Sequence, residues 1–311
     1  MNTDRPALTR CYQNHHLDST RWQLYRPRPG DVIVTTAYKA GTTWTQLIVL
    51  QLLHLDDESV LPLQDASPWP DRRLRPSRDA LANELGAGRT AERMCLKSHL
   101  PLDGLPYFEQ VRYVIVGRDP RDVFMSLFNH YHNYTDEAYT QINGNERIGA
   151  PLPRCPDEPR ALWREWITRG WFEWESEGYP FWSNMRHTQT YWDYRHLPNF
   201  LFVHFADLLG EPLGEIRRIA EFLGMALSDA QLAAVVRATR FDAVKKAADT
   251  HMPHLETFFK GGADSFFFSG SNGRWRDVLT DADLELYANA KQRVLSEDCA
   301  RWLEHGARGV A

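Results

Sequence analysis

Short runs of β-branched and other apolar residues alternate along this chain with longer amphipathic stretches. The apolar runs are nearly continuous, which is typical of parallel strands that are covered on both faces. The stretches between them repeat apolar residues at helical spacing, as in 212–223, where Ile216, Ile219, Ala220 and Leu223 share one face. Strands that alternate with helices predict an α/β fold with a central parallel sheet. The predicted strands are 32–36, 94–99, 111–116 and 199–207.

We interpret the chain as a single domain over 1–311, because no repeat or linker divides it. Residues 1–31 form an N-terminal arm, which we expect Trp22 and Tyr25 to attach to the body. Residues 133–160 are rich in glycine, proline and polar residues, and we predict a mobile surface loop there. Further helices are predicted after Asp119 and Pro120, which suit an N-cap and first helical position, and at the ranges 228–237 and 281–295.

Composition narrows the class of protein. The 311 residues are 43% hydrophobic and 25% charged, as in an ordinary globular protein, and the net charge of −5 argues against a nucleic-acid-binding surface. The four cysteines have no metal-site or disulfide spacing. No signal peptide is visible, and the apolar stretch 47–55 is too short to cross a bilayer, so we expect a cytoplasmic protein without integral membrane association.

The segment 38–44 (YKAGTTW) joins the first predicted strand to a helix. Gly41 lets backbone N–H groups converge at the positive end of the helix dipole, which predicts an anion site. Thr42 and Thr43 can add hydroxyl donors, and Lys39 adds a positive charge. The segment is not a Walker A loop, because Thr42 stands where that pattern has lysine. An ordinary strand–turn–helix corner is the alternative.

Several segments together resemble the cytosolic-type sulfotransferases, which use 3′-phosphoadenosine 5′-phosphosulfate as donor. The segment 38–44 is similar to the family's Y-P-K-S-G-T-T-W loop, and 97–101 (KSHLP) to its K-x-H-L-P segment. The segment 113–126 (YVIVGRDPRDVFMS) resembles the 3′-phosphate-binding segment, and 266–280 the closing F-x-R-K-G-x-x-G-x-W segment. The resemblance spans about residues 30–285 in the family's order, and the closing segment is most similar to bacterial members such as the mycobacterial glycolipid sulfotransferases.

The resemblance implies a catalytic set that also suits the chemistry of sulfonate transfer. Such a reaction needs charge neutralisation at the leaving phosphate and removal of the acceptor's proton. We assign the neutralisation of charge to Lys39 and the removal of the proton to His99, because an imidazole is largely neutral at pH 7. Lys97, on the same face of the strand, would support the transferring group. We expect no metal, because no spaced acidic pair resembles a magnesium site.

The resemblance also implies a donor site. Arg118 and Ser126 correspond to the family's 3′-phosphate ligands, and Trp44 and Phe241 are candidates to enclose the adenine. Three positions depart from the family. Phe205 replaces a common tyrosine, and Phe268 and Ser269, before Gly270, replace the arginine and lysine of the family's Arg-Lys-Gly. Our hypothesis is that Arg274 or Arg276 compensates for the lost positive charge. The predicted donor-binding residues are Lys39, Ala40, Gly41, Thr42, Thr43, Trp44, Arg118, Ser126, Phe205, Phe241, Phe268, Ser269 and Gly270.

The acceptor is expected to be an apolar or amphipathic hydroxyl compound, such as a glycolipid, a lipid alcohol or a phenol. Tyr12, Tyr25, Tyr131, Phe181 and the tryptophan-rich stretch 163–192 are the candidates to line its pocket. The family's dimer motif is incomplete, which leaves the oligomeric state open. Two alternatives remain: a non-catalytic module that binds adenosine bisphosphate, and a small-molecule P-loop-type kinase. Lone histidines are more often structural, and we interpret His130, His204 and His251 in that way.

Overall fold

The computed structural model describes residues 5–55, 61–74, 76–144 and 147–309. Residues 1–4 of the predicted arm and 145–146 of the predicted loop therefore lie outside the described residues. So do residues 56–60, at the start of a long proline- and arginine-rich connection.

Four parallel strands form the central sheet, as the alternation of apolar runs predicts. The sheet has the order β2-β1-β3-β4, and both neighbours of β1 run parallel to it. Pairing of Val34 with Lys97 and of Gly117 with His204 brings the carboxyl ends of the strands to one edge. The strands are β1 Val32–Thr36, β2 Cys95–Ser98, β3 Arg112–Gly117 and β4 Phe200–His204.

Helices cover both faces of this sheet. Three 3₁₀ helices, Ser19–Leu24, Arg274–Asp277 and Gly306–Gly309, complete the described elements. The α-helices in the described part of the chain are α1 Thr42–Leu53, α2 Leu63–Ala66, α3 Arg78–Leu85, α4 Pro120–His132, α5 Asp136–Ile142, α6 Pro159–Thr168, α7 Asn184–Trp192, α8 Phe205–Gly210, α9 Pro212–Phe222, α10 Asp229–Ala238, α11 Phe241–Lys246, α12 Ala248–His251, α13 Leu255–Phe258, α14 Gly262–Phe266, α15 Asp281–Val294 and α16 Glu297–His305.

The sheet separates two apolar layers, and alternate residues of a strand enter different layers. In β1, Ile33 packs into the layer formed with the N-terminal segment and the tryptophan-rich stretch. Its neighbours Val32 and Val34 pack into the layer formed with α1, α9 and α10. Both layers are apolar, which explains why the strand sequences are continuous rather than alternating.

The N-terminal segment is attached to the body by buried side chains, as predicted for Trp22 and Tyr25. Both residues are 1% exposed. The indole of Trp22 donates to Asp71 at 2.9 Å, and the hydroxyl of Tyr25 donates to Asp31 at 2.6 Å. Arg89 also binds the carboxylate of Asp31, with both groups buried.

Apart from shifts of one residue at several element ends, the structure differs from the sequence prediction in three places. The fourth strand ends at His204 instead of 207, because the His204 ring accepts from the N–H of Ala206 and begins α8 at Phe205. The predicted loop 133–160 contains α5, which Thr135 caps through a hydrogen bond from the N–H of Ala138. The mobility of that segment stays a prediction. A further helix, α16, follows the predicted final helix.

Candidate active site

The turn between β1 and α1 has the backbone conformation of an anion cradle. Gly41 is the N-cap of α1 and has φ of 115°, a left-handed conformation that glycine adopts readily. A β-carbon at this position would lie 2.9 Å from Cδ2 of Phe205. Thr42 Oγ1 lies 2.6 Å from Thr36 Oγ1, which ties the first turn of the helix to the strand. The N–H groups of that first turn have no partner within the helix and are therefore available to an anion.

Lys39 lies in this turn, also with positive φ, and its ammonium group borders the cradle. Nζ lies 3.2 Å from Nδ1 of His130 and 4.9 Å from the ring centroid of Phe266. Burial, reinforced by the charges of Lys97 and Arg118, lowers the pKa of Lys39 from 10.5 to about 7. A bound anion would reverse this change, because an opposite charge favours the protonated amine.

His99 follows β2 directly, and its hydrogen bonds define which nitrogen can act as a base. Nδ1 lies 2.8 Å from the carbonyl oxygen of Thr36. A carbonyl only accepts, so Nδ1 carries the proton and Nε2 of the neutral ring has the lone pair. Burial, followed by the charge of Lys97, holds the pKa of His99 well below its ordinary value. His99 is therefore neutral at pH 7 and able to accept a proton.

Lys97 lies in β2 close to His99. Its Nζ lies 4.1 Å from the ring centroid of Trp69, a cation–π contact. Burial and the nearby Arg72 lower the pKa of Lys97 to about 7, while Asp71 opposes the change. Lys39, Lys97 and His99 thus line one cavity, and a neighbouring cation adds to burial in lowering the pKa of each lysine.

These residues line a single cavity of about 1590 Å³. Pockets for one small ligand have volumes of about 300–1,000 Å³, so this cavity has room for a nucleotide and a second molecule. The lining residues include the cradle, Arg118 and Ser126. They also include Lys97, His99 and a group of aromatic side chains, which we call the aromatic part of the cavity: Tyr38, Trp69, Tyr134, Phe258, Phe259 and Phe266.

Arg118 follows β3 and is 5% exposed. Nε donates to Asn272 Oδ1 at 3.1 Å, Nη2 to the carbonyl of Ser271 at 3.0 Å and Nη1 to the carbonyl of Lys39 at 3.3 Å. Burial lowers the pKa of Arg118 to about 10. All three acceptors are neutral, so this buried cation is suited to an anionic ligand.

The aromatic residues predicted at the donor site border the same cavity. Trp44 and Phe205 meet edge to face at 5.6 Å, and Arg118 lies 4.1 Å from the centroid of the Phe205 ring. Phe241, at the start of α11, is 42% exposed. The Nε1 of Trp44 is buried and has no hydrogen-bond partner among the described residues. An indole nitrogen can only donate, so a ligand acceptor would satisfy it.

The segment that departs from the family also reaches the cavity. Phe268, Ser269 and Gly270 line it, and Phe268 is 56% exposed. Arg274 lies in the cavity wall with its guanidinium 5.0 Å from the Phe268 ring. The Nε of Arg274 is buried without a partner within the described chain, and burial lowers its pKa. Arg276, in contrast, is exposed and lies against Trp275.

The sequence favours a structural role for His130, and the structure places this residue in the cavity wall. Its Nε2 lies 2.8 Å from the Tyr38 hydroxyl, and its Nδ1 contacts Lys39. Ser126, Asn129 and His130 all line the cavity from α4. The spacing i, i+3, i+4 from Ser126 was the signal that could have identified it. His251 also borders the cavity, whereas His204 is buried and bonded to the carbonyl of Leu303.

Four of the residues that the sequence suggests for the acceptor pocket are core residues instead. Tyr12, Tyr25, Tyr131 and Phe181 are each at most 1% exposed and belong to the large apolar layer. Their hydroxyl groups or rings bind other parts of the chain, such as the Tyr12 hydroxyl to Asp103. The aromatic character of a residue was therefore not sufficient to predict whether it lies in the core or in the wall of the cavity.

Over 5–55, 61–74, 76–144 and 147–309, no helix is both long and apolar enough to cross a membrane. Within those same ranges, no group of three or more histidine, cysteine, aspartate or glutamate side chains is arranged to hold a metal ion.

The anion cradle, the neutral histidine and the two lysines border one cavity at the edge of the parallel sheet, an arrangement that suits transfer of a group from an anionic donor. A family model described as a sulfotransferase domain matches residues 29–298. The chain belongs to this family, and it is a sulfotransferase that depends on 3′-phosphoadenosine 5′-phosphosulfate.

Individual relatives extend the match over nearly the whole chain. A glycolipid sulfotransferase of Mycobacterium tuberculosis is 30% identical over 324 residues, covering 99% of this chain and 98% of the relative. Mouse sulfotransferase 1B1 is 26% identical over 286 residues, covering 90% and 87%. The chain is thus similar to bacterial and to animal members of the family.

Solved structures share the fold. Retinol dehydratase in complex with androsterone and the inactive cofactor PAP has a TM-score of 0.69 at 23% identity, covering 89% of this chain and 84% of that one. Mouse sulfotransferase SULT7A1 complexed with PAP has a TM-score of 0.64 at 16% identity, covering 91% and 90%.

Proposed function

We propose that this chain transfers sulfonate to a hydroxyl group of an amphipathic acceptor, such as a glycolipid, a lipid alcohol or a phenol, with His99 as general base. The observation that carries the proposal is the position of His99, whose proton lies on Nδ1, in the wall of the same cavity as Lys39 and the cradle. The glycolipid sulfotransferase relatives support the choice of acceptor class.

In the proposed reaction, a bond forms between the acceptor oxygen and sulfur while the bond from sulfur to the 5′-phosphate oxygen breaks. The acceptor's proton moves to Nε2 of His99. Lys39 neutralises the charge that develops on the leaving phosphate oxygen, and Lys97 stabilises the sulfonate oxygens. Both lysines must be ammonium ions for these roles, and the anionic donor favours that form.

The residues around the cradle fit the donor. We assign the 5′-phosphosulfate to the turn from Lys39 to Trp44 and the 3′-phosphate to Arg118 and Ser126. Arg274 replaces part of the charge of the family's Arg-Lys pair, because its partnerless Nε is buried in the same cavity. The adenine would lie between Trp44 and Phe241. We further propose that transfer needs no divalent metal.

A two-part experiment tests the proposal. Calorimetric titration of metal-free protein with 3′-phosphoadenosine 5′-phosphate should give micromolar affinity. Arg118→Ala should weaken this binding strongly, while Arg237→Ala, at an exposed position of α10, should not. A transfer assay with sulfur-labelled donor and a panel of alkyl glycosides, alcohols and phenols should then give labelled product in the presence of a chelator.

When the titration is repeated with ATP and magnesium in place of the bisphosphate, each rival function has its own result. Tight binding of ATP with magnesium and none of the bisphosphate would support a kinase and refute the proposal. Tight binding of the bisphosphate without transfer to any acceptor would support a non-catalytic module. The retention of Lys39 and His99 argues against the module, since binding alone needs no base.

A further inference from the structure

A pair of adjacent histidines is buried beside the catalytic region. His15 is 0% and His16 is 4% exposed, and their Nδ1 atoms lie 2.8 Å apart. Nε2 of His15 lies 2.8 Å from the carbonyl oxygen of Pro180. Arg73 donates to the carbonyl of His15 at 2.8 Å, and Asn14 Oδ1 accepts from the N–H of His16 at 2.8 Å. Backbone and side chains of the pair are therefore both held in place.

These contacts determine the tautomer of each ring. The carbonyl of Pro180 can only accept, so Nε2 of His15 carries a proton. Burial lowers the pKa of His15 to about 3 and that of His16 well below its ordinary value, so both rings are neutral. Nδ1 of His15 is then unprotonated and accepts from Nδ1–H of His16. The lone pair of His16 is consequently on Nε2.

His16 lines the same cavity as His99. The two rings share neighbours: the centroid of Tyr38 lies 6.4 Å from that of His16 and 5.0 Å from that of His99. The ring centroid of Trp182 lies 6.1 Å from that of His16 and 5.9 Å from that of His99. Two neutral imidazoles, each with its lone pair on Nε2, thus border the aromatic part of the cavity.

We propose that His16 determines acceptor specificity by accepting a hydrogen bond from a second hydroxyl of the acceptor. This inference rests on the sulfotransferase function proposed above, in which His99 accepts the proton of the hydroxyl that is sulfonated. It selects a polyhydroxylated headgroup, such as the sugar of a glycoside, over an alcohol or phenol with one hydroxyl. An acceptor with only one hydroxyl would leave Nε2 of His16 buried without a hydrogen-bond donor, and this loss disfavours its binding.

The test compares two acceptors with the same tail, hexyl β-D-glucoside and 1-hexanol, at saturating donor. The wild-type protein should have the higher kcat/KM for the glucoside. His16→Met, which cannot replace the imidazole as an acceptor, should lower kcat/KM for the glucoside by about 10- to 100-fold and that for hexanol by less than about twofold. His16→Gln, which restores an acceptor, should retain most of the preference. His196→Gln, at an exposed position, is the control.

The outcomes separate this inference from the function on which it rests. Equal losses for both acceptors in His16→Met, with affinity for the adenosine bisphosphate unchanged, would make His16 structural and overturn the inference alone. A wild-type protein that prefers hexanol would also overturn it, even if both variants fail to fold. Absence of transfer to every acceptor despite donor binding would refute the proposed function itself.

Discussion

The charge of Lys39 in the free protein makes donor binding dependent on pH. Its pKa is about 7, chiefly because of burial. A bound adenosine bisphosphate favours the ammonium form, so the pKa should return toward 10.5 and binding should take up a proton. Affinity is then greatest below pH 7 and is lost as the pH rises above it. For one lysine, proton linkage between these two pKa values weakens binding about 50-fold from pH 7 to pH 9.

Calorimetry of 3′-phosphoadenosine 5′-phosphate binding at pH 7, 8 and 9 measures this effect. The phosphates are already about 90% doubly charged at pH 7, because their second pKa is about 6, so their own titration changes the affinity little in this range. Repeating each titration in buffers of different ionisation enthalpy counts the protons, with about one taken up at pH 8 to 9. Lys39→Met should bind more weakly and with a shallower profile, since Lys97 still titrates, and Lys246→Met, at an exposed position, should keep the wild-type slope. A wild-type profile as shallow as that of Lys39→Met would refute the reasoning.

Two further predictions concern the donor site, and each uses affinity for the same bisphosphate. Gly41→Ala should weaken binding by at least about 10-fold, because a side chain is strained at a φ of 115° and its β-carbon would lie 2.9 Å from Phe205, so the cradle must deform. Gly214→Ala is the control, because the space around its β-carbon is open. Equal effects of the two substitutions on affinity would contradict the account. Arg274→Ala should lower the affinity for the bisphosphate about 10-fold and the affinity for adenosine 5′-monophosphate little. Arg276→Ala should change neither affinity. Unchanged affinity for the bisphosphate in Arg274→Ala would exclude a role of Arg274 at the 3′-phosphate.

The sheet was predictable because each of its strands is marked by an apolar run within a few consecutive residues. A buried parallel strand needs an apolar run such as 111–116, and the observed β3 differs by one residue at each end. The helix α16 was not predicted, although Cys299, Trp302 and Leu303 are buried at helical spacing. Its apolar side chains are few and lie near the end of the chain, where the sequence pattern is short.

The candidate site was predictable where contiguous residues build it. The cradle and the segment with His99 each lie within a few residues of one strand end, so local sequence is sufficient. His16 and His130 enter the site through packing with Tyr38, which is distant from both along the chain. Such neighbours depend on how the N-terminal segment and α4 meet the sheet. Local sequence does not encode that arrangement.

The most direct test of the central claim is a single-turnover transfer from sulfur-labelled 3′-phosphoadenosine 5′-phosphosulfate to hexyl β-D-glucoside by wild-type and His99→Gln proteins. We predict sulfonated glucoside from the wild type. We predict bisphosphate affinity within about twofold of wild type for His99→Gln, but transfer slower by about 10²- to 10⁴-fold, the usual contribution of a general base. Transfer by His99→Gln at the wild-type rate would contradict the account.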